Sequence, residues 1–162
     1  MKLESRWLRL LASCGVLASL AACGREPSPT SPSGQASYLA GTWRGTVTIQ
    51  VNPGDPGASP PTSGPITWTF EVVPQTNQQT FRATIRSMHP WLTMDTTATT
   101  TLTPGNTPPA QISTQGEFAS PRGCRGTFGS VGTAQATRIE ADFTGTDCNA
   151  ATFSGQLVLT KE

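Results

Sequence analysis

Four segments of the chain alternate between apolar and polar residues with a period of two. The first of them places Trp43, Val47 and Ile49 on one face and Thr, Arg and Gln side chains on the other. This is the period of a β-strand with one buried face, so each segment is predicted to be a strand. The four segments are residues 42–51, 66–73, 80–87 and 151–160.

The middle of the chain has a weaker alternation that still favours strands. Residues 91–103 contain a Thr-rich run with few apolar side chains, and we interpret them as one strand or a bent pair. Threonine fits a pleated sheet well, although so weak an inner face specifies the register poorly. Three further strands are predicted, at 110–118, 124–130 and 135–144. Breaker-rich stretches separate the strands, at 52–65, 73–77, 104–109, 129–133 and 147–149.

Together these segments predict an all-β domain over residues 38–162. About eight antiparallel strands in chain order can close into an up-and-down β-barrel, which leaves no exposed sheet edge. An open β-sandwich is the alternative. Before the domain we expect a signal helix over residues 1–22 and a disordered linker over residues 23–37, since that linker is rich in Pro and Ser and has no apolar period.

The charge of the chain excludes one class of partner. Only 13% of the residues are charged, and the formal net charge is +1. Removing residues 1–22 takes away three basic residues and one acidic residue, which leaves eight basic and nine acidic residues. A domain close to neutrality offers no electrostatic footprint for nucleic acid.

The N-terminal segment has the layout of an export signal. Lys2, Arg6 and Arg9 precede an apolar run of about 13 residues, which is too short to span a membrane. The run ends in Leu20-Ala21-Ala22-Cys23, which closely resembles the lipobox of bacterial lipoproteins. The resemblance implies cleavage before Cys23 and acyl chains on that residue, so the membrane is reached through an N-terminal lipid. An ordinary signal peptide cleaved near Ala22 is the alternative.

The residue after the proposed lipid-bearing cysteine bears on localisation. It is Gly24, whereas lipoproteins retained in the inner membrane commonly carry Asp at this position. The resemblance therefore implies a lipid-anchored protein of the cell envelope, in the outer membrane, with residues 24–37 acting as a spacer.

Four cysteines occur in the chain, and two of them are available to pair. Cys14 leaves with the signal segment and Cys23 is the lipid acceptor, so Cys124 and Cys148 remain. Export to an oxidising compartment favours a disulfide between them. Two free buried thiols are the alternative.

The first predicted strand begins with Gly41-Thr42-Trp43-Arg44-Gly45, which resembles the opening of lipocalins and avidin-like barrels. This resemblance implies that Trp43 plugs one end of the barrel. Lipocalins also carry a late Arg that stacks on this Trp. Here the last strand offers only Lys161, so the stacking partner is expected to be absent or to come from elsewhere.

Catalytic and metal-binding signatures are missing from the sequence. His89 is the single histidine and is expected in a loop or at the rim, without partners at catalytic or ligand spacing. Asp142, Asp147 and Asn149 could offer oxygens to calcium, but their spacing fits no calcium-loop template. We therefore predict a protein that is not an enzyme and has no metal site and no cofactor.

Three functions of different classes remain open. The first is a binding or interaction module that meets a protein or glycan partner through strand faces and loops such as 52–65. The second is a lipocalin-like carrier of a small apolar ligand, because five inward positions have small residues that could leave a cavity. These positions are Gly45, Ala83, Gly126, Ala141 and Gly155. The third is a barrel that inhibits proteases through residues 24–37.

Overall fold

The computed structural model of the protein describes residues 38–52, 58–73, 80–103, 107–147 and 151–162. In these residues the chain is all-β and has eight strands. Their bounds are β1 Gly41–Val51, β2 Thr62–Val72, β3 Thr80–His89, β4 Leu92–Thr103, β5 Ala110–Ala119, β6 Arg125–Ala134, β7 Arg138–Thr146 and β8 Thr152–Lys161.

The eight strands form a closed antiparallel barrel in chain order, and β8 pairs with β1. The predicted up-and-down barrel is therefore confirmed, and the open sandwich is wrong. The stagger of the barrel follows from stepping from each residue to its paired neighbour on the next strand. A path that starts at Val72 of β2 goes once around the barrel and returns to β2 at Thr62, ten residues from its start. Eight strands with such a stagger leave an interior of the width that side chains can fill.

Two strands extend into segments predicted as turns. β2 begins at Thr62, inside the predicted loop 52–65, and β6 continues through the predicted turn 129–133. In β6 the inward positions of that stretch are Ser130 and Gly132, which have no large apolar side chain to extend the alternation. The uncertain segment 91–103 is one strand, β4.

The interior contains two groups of aromatic side chains. In the first group, Phe70 contacts both Trp43 and Trp68 edge to face. Four phenylalanines from β5 to β8 form the second group, with centroid distances of 5.6–6.4 Å. These four are Phe118, Phe128, Phe143 and Phe153. Burial of such rings is the main favourable term in folding a domain of this size.

Each of the four phenylalanines lies opposite a glycine on a neighbouring strand. Phe118 pairs with Gly126, and Phe128 pairs with Gly116. Phe143 pairs with Gly155, and Phe153 with Gly145. A Cβ at Gly126 would lie 2.5 Å from the Phe118 ring, so the ring occupies the space of the missing side chain. Aromatic rings that cover glycines in this way stabilise strongly coiled sheets.

The proposed signal segment, lipobox and linker fall outside the described residues. Among the residues that the structure does describe, none belongs to a helix long and apolar enough to span a membrane.

Candidate functional site

The antiparallel order of the strands gives the barrel two chemically different ends. The chain enters β1 at one end, where β8 also finishes. The connections β1–β2, β3–β4, β5–β6 and β7–β8 all lie at the other end. We call the first the plugged end, defined by Tyr38, Leu39, Trp43 and Lys161, and the second the cap end.

Trp43 is the centre of the plugged end. It is completely buried, and its Nε1 donates a hydrogen bond to the carbonyl oxygen of Leu39 at 2.8 Å. Leu39 is also completely buried, so the segment before β1 folds across the end of the barrel. The prediction that Trp43 acts as a core plug is confirmed.

Lys161 occupies the place beside Trp43 that the lipocalin resemblance assigns to an arginine. Its Nζ lies 5.7 Å from the centroid of the Trp43 ring and donates a hydrogen bond to the carbonyl oxygen of Tyr38. The expectation that the last strand cannot supply the stacking cation is wrong, because a lysine at the end of β8 reaches the ring. An ammonium over a tryptophan face is a favourable cation–π contact.

The cap end carries a chain of three contacting side chains, Trp91, Arg122 and Asp147, which we call the cap. The Arg122 guanidinium lies 5.2 Å from the centroid of the Trp91 ring. Its Nη1 lies 3.8 Å from Oδ2 of Asp147. These residues come from the β3–β4, β5–β6 and β7–β8 connections, so the cap joins three successive hairpins.

His89 holds the turn that carries Trp91 of the cap. It is the last residue of β3 and is completely buried. It therefore lies at the rim of the barrel, as one of the two predicted positions has it, and the alternative position in a loop is wrong. Its Nε2 lies 2.9 Å from the carbonyl oxygen of Thr62, and its Nδ1 accepts the backbone N–H of Trp91 at 3.1 Å. Since Nδ1 must be an acceptor, the neutral ring with its proton on Nε2 satisfies both contacts. The imidazole therefore fixes the turn that presents Trp91.

Large apolar side chains are exposed at the same end. Met88 is 78% exposed and Trp91 is 43% exposed. The described residues contain one further exposed large apolar side chain, Val131, on the outer wall of β6. Two of these three exposed side chains, Met88 and Trp91, therefore lie three positions apart in the sequence, at the cap end.

The three inward glycines behind the carrier hypothesis, Gly45, Gly126 and Gly155, do not mark empty space. A Cβ at Gly45 would collide with the backbone carbonyl of Val158, and one at Gly155 with that of Thr48. At Gly126 the Phe118 ring fills the position. These glycines therefore permit close approach of strands and rings, and the observation that motivated a cavity has another explanation.

An open groove of about 770 Å³ crosses β3, β4 and β5, and its lining includes the buried residues Phe81, Ala98 and Phe118. It lies where the β4–β5 pairing stops at Ala98 and Gly116, and the hydroxyl of Thr96 donates to the Glu117 carbonyl at 2.6 Å. Glu117 also pairs with Arg125 at 3.0 Å. Polar side chains contribute much of the lining of the groove. Two of its charged residues, Glu117 and Arg125, already pair with each other.

Of the two cysteines predicted to pair, Cys124 lies in the β5–β6 connection. It is half-buried, and its carbonyl oxygen accepts the N–H of Ser120 at 2.8 Å. Cys148 and the predicted lipid acceptor Cys23 lie outside the described residues. The pairing of Cys124 with Cys148 therefore stays a prediction.

The oxygens considered for calcium do not gather in the described part of the molecule. Asp142 is exposed on the outer face of β7, Asp147 belongs to the cap, and Asn149 lies outside the described residues. Within the described ranges, no three His, Cys, Asp or Glu side chains are grouped closely enough to hold a metal ion.

The fold defines the class of the protein, which is a small eight-stranded up-and-down β-barrel with the cap at one end. No protein-family model matches the chain, and neither does any curated protein or solved structure with which it was compared. The function must therefore be argued from the residues themselves.

Proposed function

We propose that the chain is a lipid-anchored lipoprotein of the bacterial cell envelope and that its barrel is a non-enzymatic binding module. The observation that carries this proposal is the spacing of a basic start, a short apolar run and Leu20-Ala21-Ala22-Cys23. Two or three acyl chains on Cys23 would hold the protein stably at a membrane. Gly24 after the cysteine favours the outer membrane.

Binding through the outer surface is favoured over binding inside the barrel. The inward glycines are covered by rings and by neighbouring strands, and the plugged end is closed by Trp43 and Leu39. Exposed apolar side chains at the cap end offer contact area instead. A carrier of a small apolar ligand is the second candidate, and a protease inhibitor that acts through residues 24–37 is the third.

A disulfide between Cys124 and Cys148 belongs to the same proposal, since an exported domain folds under oxidising conditions. Thr127 pairs with Thr146 across β6 and β7. Cys124 lies three residues before the first, and Cys148 lies two residues after the second. In sequence, both cysteines therefore lie within three residues of the last pair of the β6–β7 ladder.

Intact-mass and peptide analysis of the protein purified from its own membranes tests the anchor. We expect a mature chain that begins at Cys23 and carries the mass of two or three acyl chains. Cys23→Ser should abolish the acyl mass and leave uncleaved precursor, whereas Cys14→Ser should change neither. An unacylated mature N-terminus would contradict the proposal.

Native mass spectrometry of the delipidated protein separates the binding modes. We expect the mass of the polypeptide alone, without a bound small apolar molecule. A stoichiometric apolar adduct that survives purification would favour the carrier. Inhibition of a panel of secreted proteases that depends on residues 24–37 would favour the inhibitor.

A further inference from the structure

We propose that the cap, together with Met88, is a docking surface for a protein partner that presents an acidic side chain beside a large apolar one. The inference rests on the proposed function of a binding module and names the surface and the kind of partner. The four residues that define it are Met88, Trp91, Arg122 and Asp147.

The chemistry of the exposed side chains favours a protein as the occupant. Met88 and Trp91 are exposed, and Arg122 is 47% exposed beside Trp91. Tryptophan, methionine and arginine are enriched in protein interfaces, and tryptophan and arginine dominate their energetic centres. The contact between Trp91 and Arg122, with the exposed Met88 three positions before Trp91 in the same hairpin, is therefore typical of an interface.

The charges of the cap set the sign of the partner. Asp147 is only 11% exposed, whereas Arg122 is half-exposed, so the charge that faces solvent is positive. The Arg122–Asp147 separation of 3.8 Å is at the outer limit of an ion pair. The guanidinium thus has donors left for an incoming carboxylate, which it can bind in a bidentate manner. A partner with an acidic side chain complements this surface.

The surface is also held in place before any partner arrives. The buried His89 accepts the Trp91 N–H and contacts the Thr62 carbonyl. Ser120 accepts the N–H of Arg122 at 3.2 Å, which fixes the second turn. A pre-ordered surface loses little conformational entropy on binding.

The described chain begins at the opposite end of the barrel from the cap. Its first described residue, Tyr38, lies in the plugged end. A strand of about ten residues is about 33 Å long, so most of the length of the barrel separates Tyr38 from the cap.

The experiment uses the full lipidated chain in detergent micelles as the target of a random 12-residue peptide display library. We expect enriched peptides with an excess of Asp and Glu next to a large apolar residue. Synthetic copies should bind at least tenfold more weakly to Trp91→Ala, Arg122→Glu and Arg122→Gln. The matched control Val131→Thr, on the outer wall of β6, should change affinity less than twofold.

Several results would overturn this inference. They are a selection without enrichment, enriched peptides without acidic excess, or equal affinity for the cap variants and Val131→Thr. Binding of anionic lipid vesicles or of peptidoglycan fragments that is lost in Trp91→Ala, without peptide binding, would also overturn it. Peptides that bind with equal strength to all cap variants would leave the binding module intact and move its surface elsewhere, whereas failure of the anchor is detected by the acyl mass alone. Circular dichroism of each variant confirms that the barrel is folded.

Discussion

The two ends of the barrel use the same residue types for opposite purposes. Each has a tryptophan with a cation beside its ring, Trp43 with Lys161 and Trp91 with Arg122. At the plugged end the ring is completely buried, whereas at the cap end it is 43% exposed. A buried ring contributes to stability in proportion to the area removed from water, and an exposed ring keeps that area available for a partner.

The residues beneath the two tryptophans differ in the same way. Trp43 donates its side-chain N–H to a backbone carbonyl, so its side chain is part of the core. The backbone N–H of Trp91 is held by the buried ring of His89, and its side chain contacts Arg122 while 43% of the residue stays exposed. The cap end therefore fixes the main chain and leaves part of the ring open to solvent. This arrangement is expected of a surface that binds a partner. It is not expected of one that only closes the end of the barrel.

The largest expected effect comes from removing the plug. Trp43→Ala should lower the free energy of unfolding by about 3–5 kcal/mol, because it deletes a buried ring and leaves a cavity. Trp91→Ala, the matched change at the cap end, should cost less than about 1 kcal/mol. Urea unfolding followed by circular dichroism measures both. Equal losses for the two variants would contradict the division between a structural end and a binding end.

The next largest effect concerns the predicted disulfide, which would join two of the three connections that form the cap. Opening a bridge that closes a loop of about 25 residues should lower the free energy of unfolding by about 2–4 kcal/mol. Cys124→Ser and Cys148→Ser should each reproduce the effect of reduction. Two titratable thiols in the untreated folded protein, with an unchanged melting temperature on reduction, would exclude the bridge.

The alternation of residues predicted the barrel well because each of its clearest strands has one apolar face. It failed in β6, where the inward Ser130 and Gly132 do not continue that face. The number of strands and their chain order favoured a closed barrel over an open sandwich, and the pairing of β8 with β1 decides between them. The stagger that fixes which inward residues meet depends on registers that the alternation alone does not specify.

The cap was not predicted, and its origin explains why. Trp91, Arg122 and Asp147 come from separate connections, and only closure of the barrel brings them together. The burial of His89 depends on Thr62, a residue of β2 that the breaker-rich sequence assigned to a loop. The plug could be predicted because its signal is local, a Gly-x-Trp at the start of a strand.

A smaller effect is expected from the residue that holds the cap. His89→Ala should lower the free energy of unfolding by about 1–3 kcal/mol, since the Trp91 N–H and the Thr62 carbonyl each lose a buried partner. His89→Asn, which can still accept the Trp91 N–H, should lose less. The rate of amide hydrogen exchange at Trp91 provides the specific readout. This rate should increase in His89→Ala and much less in His89→Asn. Unchanged exchange in both variants would show that His89 does not hold the turn.

The smallest effect tests the plugged end through its tyrosine. Tyr38 is the only tyrosine in the chain, so the phenolate absorbance near 295 nm reports on this residue alone. Burial raises the pKa of the Tyr38 phenol above its ordinary value of 10.0, and its hydroxyl has no hydrogen-bond partner among the described residues. Above pH 10 the folded protein therefore retains a proton that the unfolded chain releases, and stability falls as the pH rises through this window.

A spectrophotometric titration in buffer and in denaturant should give a higher midpoint for the folded protein, and Tyr38→Phe should remove the signal from both curves. The exposed cap contains no tyrosine and cannot contribute to either curve. Lys161→Met, which removes the donor to the Tyr38 carbonyl, should bring the folded midpoint closer to that of the unfolded chain if the lysine holds Tyr38 against the barrel. Identical midpoints in the folded and unfolded wild type would mean that Tyr38 is solvated, and the plug would then end at Leu39.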